Sequence, residues 1–594
     1  MSARSRLIGG AIAAACFVVH GAAFAQQPPP VVVPPPEKPA GAVPTPEQLA
    51  PRLPLAKPGT QLPEVTPAAK LRELGKPSDE LTLDVVAYRI DDDAPAALRE
   101  ALPVITAPYV GKGKTYEDLV NATGAVTRYM QRELGFYLGY AFLPEQDAKG
   151  GVIRIAVLEG RLDEVILNWP DKMPVRREVV EAYLARLKPG EILRVRDVER
   201  VVFLVNDLRG ITARFEVKSG RVPGTASLVV TPTPEARVAS RIEVDTLGSR
   251  YSGITRVGAL ATVSSPTGSG DGLVLNALSS TNAGLQFALA GYTLPVGSDG
   301  LKVGASVSAV RYRLGAELTE TKLKGTASTF TGYGLYPVVR SRNLNVFGLA
   351  SIDIKDFTDE AQGNAKKKKV TDLQLSVSGD LRDDLLTGGV NTYELVLIHG
   401  KLDQRSVIGA PVTDSDNPAN YSYARLNLTR LQNVIENRLL LYAALRSQLA
   451  FNNLDSVEQF QVGGPDRVRA FAPGEGTGDE GLVVTLELRF LPPESWFGSY
   501  GRIAREVVFS GFIDVGTVKA RHDPAHAQAE AIQHDPTKPF VNTHSFSGWG
   551  VGAIWDRPRD FALRAYLSWP ISGEPTNDPV VKKPRLYLTA TKSF

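Results

Sequence analysis

The stretch GGPDRVRAFAPGEGTGDEG, Gly463–Gly481, is too glycine-rich for a helix and too long for a hairpin turn. It carries Arg469 boxed between Val468 and Phe471. An arginine there is either an ordinary solvated loop residue or one held in place for a partner. His522, His526, His534 and His544 crowd another segment, and the run HDPAH has donors for a metal ion. A solvated polar loop accounts for them more simply, so no metal is assigned. The metalloprotease pattern HExxH, the phosphate loop GxxxxGK[ST] and the nucleophile elbow GxSxG are all missing from the sequence. The reading is therefore of a protein that is not an enzyme and has no cofactor.

At 594 residues with 43% hydrophobic and 22% charged side chains, the chain has material for a large core, and its length suggests about three or four domains. A formal net charge of +3 gives no basic field for nucleic acid, which is excluded as a partner. The opening, MSARSRLIGGAIAAACFVVHGAAFAQQ, has Arg4 and Arg6, an apolar run from Leu7 to Val19, and then Ala23-Phe24-Ala25. This is a secretory signal with cleavage expected after Ala25. The single cysteine, Cys16, falls inside it, so the mature chain has no thiol, disulfide or cysteine-held metal. A lipoprotein box at AAAC is the lesser reading, because the apolar segment continues past Cys16.

Residues 26–78 are rich in proline and read as an extended linker, with Thr66–Gly75 as a short helix. Between about Glu80 and Pro234, strand and helix periods alternate in the order β-α-α-β-β, and the pattern is then repeated. Two small α/β units in tandem follow, over 79–161 and 162–234. After Pro234 the helical period vanishes, and residues 235–594 give about 16 short strands of alternating apolar and polar side chains.

A sandwich would also alternate. Here, however, the connections after odd strands include the long FTDEAQGNAKKKKVTD and TVKARHDPAHAQAEAIQHDPTKPFVNTH, while those after even strands include the brief PVGSDG and QNVIEN. No run of roughly 18 apolar residues follows the signal, so a membrane can be crossed only by a closed barrel. The fold class is a transmembrane β-barrel of about 16 antiparallel strands preceded by two α/β domains. At the C-terminus Leu586, Leu588, Ala590 and Phe594 share a lipid face, with Lys592 as an interfacial exception. The basic run Lys366–Lys369 is read as an outer loop tip, in preference to a contact with lipopolysaccharide phosphates.

This order of segments resembles the two-partner secretion transporters, the haemolysin-activator type of outer-membrane exporter, over nearly the whole chain. The stretches that carry the resemblance are Gly139–Val165 and VERVVFLVNDLRGITARFEVKSGRVPGTASLVV, which look like the ends of that family's two polypeptide-transport-associated (POTRA) domains. To these is added VRAF followed by GDEG, which resembles the family's VRGY/F motif in the sixth extracellular loop. The resemblance implies that this loop folds back into the barrel and that Arg469 meets an acidic residue of a lumen-facing F-x-D-x-G motif. FIDVG supplies it, with Phe512, Asp514 and Gly516 on one face. The outward alternation of Val507, Phe509, Ile513 and Val515 independently turns Asp514 into the lumen. The motif residues are thus Val468, Arg469, Ala470 and Phe471 on the loop.

Ala470 stands where the family has glycine. Its Cβ disfavours φ > 0, so a loop path that needs a positive φ at this residue has to differ. The Pro-rich segment also offers little helix before Thr66 for the family's N-terminal plug. In GLVVTLELRF the residues Leu482, Val484, Leu486, Leu488 and Phe490 face lipid, while Thr485, Glu487 and Arg489 face inward. The inward set lines a conduction path or forms a static polar network.

The resemblance implies POTRA domains in the periplasm that bind an unfolded exoprotein, a large β-helical adhesin or cytolysin, and a barrel that conducts it outward. Strand addition to a sheet edge is the expected mode of capture. Outer-membrane lipid, lipopolysaccharide and the barrel-assembly machinery are the remaining expected partners. A barrel-assembly insertase is the alternative, with a passive porin behind it.

Overall fold

From Val238 to Ser593 the alternation of side chains is expressed as sixteen antiparallel strands that close into a barrel. The computed structural model describes residues 43–50, 64–65, 82–147, 149–320, 322–361, 364–406, 417–534, 540–575 and 584–594. The expected signal peptide and the helix expected over Thr66–Gly75 lie outside the described residues. Closure joins the first strand, Val238–Asp245, to the sixteenth, Arg585–Ser593, from Arg241 opposite Ser593 to Asp245 opposite Thr589.

The two faces separate as a barrel in lipid requires. Leu373, Leu375 and Val377 of the eighth strand are about half exposed on the outer wall, while Asp372, just before them, is wholly buried on the inner one. Among the described residues, no helix is long and apolar enough to cross a membrane. The strands are not uniformly short. The first has 8 residues, but the seventh, Leu344–Ala361, has 18 and the eighth, Asn364–Asp383, has 20. A strand of about 9–11 residues is enough to cross, so this side of the wall rises well past the membrane.

That height corrects one expectation. Lys366–Lys369 are not a loop tip: they pair with Asp359–Asp356 on one side and Ser406–Asp403 on the other. Lys367 and Lys369 face out, and Lys368 turns inward. Lys592, the interfacial exception on the last strand, donates its ammonium to Asp560.

The first α/β unit packs helices Ala96–Thr106 and Tyr116–Arg132 on short strands around Leu98, Val126, Met130 and Ile155. Thr115 and Asp118 form a reciprocal capping box at the second helix. In the second unit, helices Arg177–Leu184 and Val195–Asn206 cover a sheet of Arg161–Leu167, Thr225–Pro234 and Ile211–Ser219. Buried Asn206 stitches helix to sheet, donating to Val202 O at 2.9 Å and accepting from Ala213 N at 2.8 Å. Glu64–Val65 adds a short parallel strand beside Glu216 and Val217.

The second unit is bolted to the barrel. Arg340, at the end of the sixth strand (Lys324–Arg340), clasps Asp207 through Nε at 2.9 Å and Nη2 at 3.0 Å, lies over Phe203 and donates Nη1 to Asn345. Arg186 and Arg200 both reach Asp299 in the turn between the fourth and fifth strands. Inside the barrel, the one-turn helix Pro46–Leu49 packs against the fifth and sixth strands, with Val43 and Leu49 buried in the lumenal cluster. Among the described residues, the Pro-rich segment thus contributes one helical turn inside the barrel.

Candidate functional site: the loop folded into the barrel

Residues 451–479 leave the eleventh strand, Leu439–Ala450, and turn down into the lumen before the twelfth, Glu480–Phe490. Glycines are needed in the wall that faces this stretch, because wall and loop approach closely. A Cβ on Gly516 would stand 2.5 Å from Val462, and one on Gly548 only 2.4 Å from the Ala470 methyl. Ala470 has no positive φ, so the departure from the family's glycine is met by space in the wall rather than by a strained loop. Val462, Val468, Ala470 and Phe471 bury themselves against Val483, Val518 and Phe546 of the wall.

That apolar seat carries Arg469 to its partners. Its Nε donates to Asp514 Oδ2 at 2.8 Å, Nη2 to Asp514 Oδ1 at 2.9 Å, and its backbone N–H to Oδ2 at 3.1 Å. Nη1 donates to Glu487 Oε2 at 2.6 Å, and the guanidinium carbon lies 3.3 Å from the Phe512 ring centre. Asp514 is fully buried, and Arg469 is only 5% exposed. Burial of this kind is tolerated because every carboxylate is answered: Thr485 donates to Asp514 at 2.9 Å, and Arg489 donates to Glu487 at 2.9 Å while stacking on Tyr442.

All the residues expected on loop and wall therefore come together: Val468, Arg469, Ala470 and Phe471 on one side, and Phe512, Asp514 and Gly516 on the other. Glu487 and Arg489 belong to the same network: Glu487 is 2% exposed and held by two arginines.

Sequence reasoning missed the partners on the last two strands. Ser568 donates to Arg469 O at 2.8 Å, Tyr587 donates to Phe471 O at 3.0 Å, and Tyr566 stands edge-on to Phe512. Strand parity alone turns these three polar side chains inward, Ser568 and Tyr566 opposite the glycines Gly550 and Gly552 and Tyr587 opposite Tyr566, and that signal was available. Of the histidines, His522 bonds Glu480 at 2.7 Å. Among the described residues, no group of three or more His, Cys, Asp or Glu is placed to hold a metal ion.

A model of the haemolysin secretion/activation proteins ShlB/FhaC/HecB matches residues 224–533, more than half of the chain. The chain belongs to this family. A ShlB-type POTRA model matches residues 92–160, over the first α/β unit. The heme/hemopexin transporter protein HuxB of Haemophilus influenzae strain 86-028NP is 23% identical over 91% of this chain and 92% of its own length. The outer membrane transporter CdiB of Escherichia coli O6:K15:H31 is 25% identical over 65% of each chain. The solved structure of CdiB from Escherichia coli aligns with a TM-score of 0.66 at 18% identity over 89% of this chain and 94% of that one. CdiB from Acinetobacter baumannii aligns at 0.61 and 16% identity, over 92% and 95%. These two share the fold. As a member of the family, the chain is an outer-membrane two-partner secretion transporter with its POTRA domains in the periplasm, and it serves a secreted exoprotein.

Proposed function

We propose that Arg469 is the latch of this transporter, holding loop 6 across the lumen at rest and releasing it when an exoprotein enters. The observation that carries the reading is the buried guanidinium shared between Asp514 on the thirteenth strand and Glu487 on the twelfth. A charge desolvated this completely is costly to strand without its partners, so the loop is either seated or free, with little between. The protein acts as a conduit and performs no covalent chemistry. Residues 1–25 are a cleaved signal, 26–78 a linker, 79–161 and 162–234 the POTRA units, and 235–594 the barrel.

The cargo is a large β-helical adhesin or cytolysin that docks in extended form on a POTRA sheet edge. Strand Ile211–Ser219 suits that role because it already accepts Glu64 and Val65 in parallel register. Lipid and lipopolysaccharide surround the barrel, which the barrel-assembly machinery inserts.

Planar-bilayer conductance paired with a secretion assay tests the latch. Arg469→Ala and Asp514→Ala are expected to insert normally, lose export and alter channel noise alike. Export at the wild-type level from either variant would remove the latch from the mechanism.

A further inference from the structure

The descending limb of loop 6 is held at a second place, nearer the outer end of the lumen and on a different part of the wall. Lys355 of the seventh strand stands between Asp372 of the eighth and Glu458 of the loop, 2.9 Å from each. Tyr421 of the tenth strand (Asn420–Ile435) donates to Asp372 at 2.6 Å, and Tyr423 donates to Glu458 at 2.5 Å. Three residues earlier on the loop, Asp455 takes the inward ammonium of Lys368 at 2.7 Å. Gln448 donates to the carbonyls of both Glu458 and Asp479, tying the two limbs of the loop together at their base.

The side chains of Lys355, Asp372, Glu458 and Asp455 are 4% exposed or less. Around them lies an apolar cluster that includes Leu454, wholly buried, together with Phe357, Val370 and Leu402. The loop is therefore attached at two points of unequal character. The tip at Arg469 is seated in a small cluster against Val483, Val518 and Phe546, beside Gly548 of the fourteenth strand (Thr543–Arg557). The limb at Asp455 and Glu458 is built into the larger lumenal cluster through two lysines, two tyrosines and Leu454.

We infer that Lys355 is a positioning residue for transport: with Asp372, Glu458, Lys368 and Asp455 it makes a fixed pivot that stays closed while the Arg469 tip swings. This rests on the transport reading above and adds to it which part of the loop does not move. Neutralising the lysine leaves Asp372 and Glu458 facing each other with only the longer Arg425–Glu458 contact, 3.9 Å, to offset them, and the limb comes off the wall. The tip then swings about no fixed axis.

The full-length protein tests this well, because its single cysteine, Cys16, lies in the expected signal segment. Lys368→Cys with Asp455→Cys, joined by a short bismaleimide, covalently closes the pivot. Export is expected to continue within about twofold of the uncross-linked pair. Lys355→Met is expected to raise the frequency of large openings on the order of a hundredfold and to depress export. Cross-linking 368 to 455 in that background restores both, which a folding defect would not allow. A cross-link that stops export in an otherwise wild-type protein shows that the limb must leave, and overturns the pivot. Wild-type conductance and export from Lys355→Met overturn it equally. Should the Lys355 variant fail to insert, the cross-link in the wild-type background still decides the matter. Absence of export from the wild type itself would count against the transport reading and not against the pivot.

Discussion

Arg469 and Arg340 are built alike and do different work. Each arginine grips one aspartate through Nε and Nη2, lies on a phenylalanine ring, and spends Nη1 on a third residue. The third residue differs: Glu487 for Arg469, Asn345 for Arg340. So does the support. Arg340 and Asp207 close off a strand and a helix, which are rigid elements, whereas Arg469 rides on a loop whose seat is eight side chains. A buried arginine fork thus says that two surfaces are joined. Whether the joint is a weld or a latch depends on what carries the arginine.

The comparison breaks most sharply where charge is stranded. Arg469→Ala leaves Asp514 buried without its cation and Glu487 with Arg489 alone, and Asp207→Ala leaves Arg340 with only the neutral Asn345. Losses of about 3–5 kcal/mol are expected for each, with Arg469→Ala at the upper end because two carboxylates are affected. Differential protease sensitivity separates the outcomes: loop 6 is cut in the first variant and the POTRA 2 junction in the second. Crosswise cutting would mean that the two joints are coupled.

A smaller change tests the seat rather than the charge. Gly548→Ala puts a methyl where Ala470 already stands, and about 1–3 kcal/mol of loop attachment is expected to be lost. Adding Ala470→Gly should recover most of it, read from channel noise. Weaker again is lysine for either arginine, which keeps the charge but loses the planar fork and the ring contact. About 1–2 kcal/mol is expected at each site, and near-equal values by thermal unfolding would support their kinship.

The smallest effect comes from pH. Desolvation pushes the Asp299 carboxyl up, but hydrogen bonds from Tyr336 and Arg200 and the charges of Arg186 and Arg200 outweigh it and hold the group below its ordinary value of 3.8. A depressed carboxylate contributes stability that is fully present above the unfolded value and is lost as pH falls through the folded one. Spin-label distances between POTRA 2 and the barrel turn should stay constant down to about pH 4 and lengthen only in stronger acid. Lengthening near neutrality would assign the contact elsewhere.

Much of the barrel could be read because its signal is local. Alternation of two tells lipid from lumen at each residue, and it turned Asp514, Glu487 and Arg489 the right way. Arg469 was legible because an arginine in a glycine-rich loop stands out. Arg340 and Asp207 carry the same chemistry but sit 133 residues apart in ordinary contexts, at a strand end and a helix end, and no local pattern links them. Strand height was misread for a related reason. Lys366–Lys369 look like a loop by composition, yet their extended form comes from ladders with two neighbouring strands. The plug turn was hidden by prolines, whose compatibility with a first helical turn is easily overlooked.

One covalent fact about the N-terminal region bears on how the pore is cleared. Ala50 is the last described residue of the segment inside the barrel, and Glu64 begins the pair of residues on the POTRA 2 edge, 14 peptide steps later. Fully extended, that length of chain reaches at most about 50 Å. The stopper of this channel is therefore on a leash tied to the surface where an extended chain would bind, and its travel is bounded for as long as the knot at Glu64 and Val65 holds.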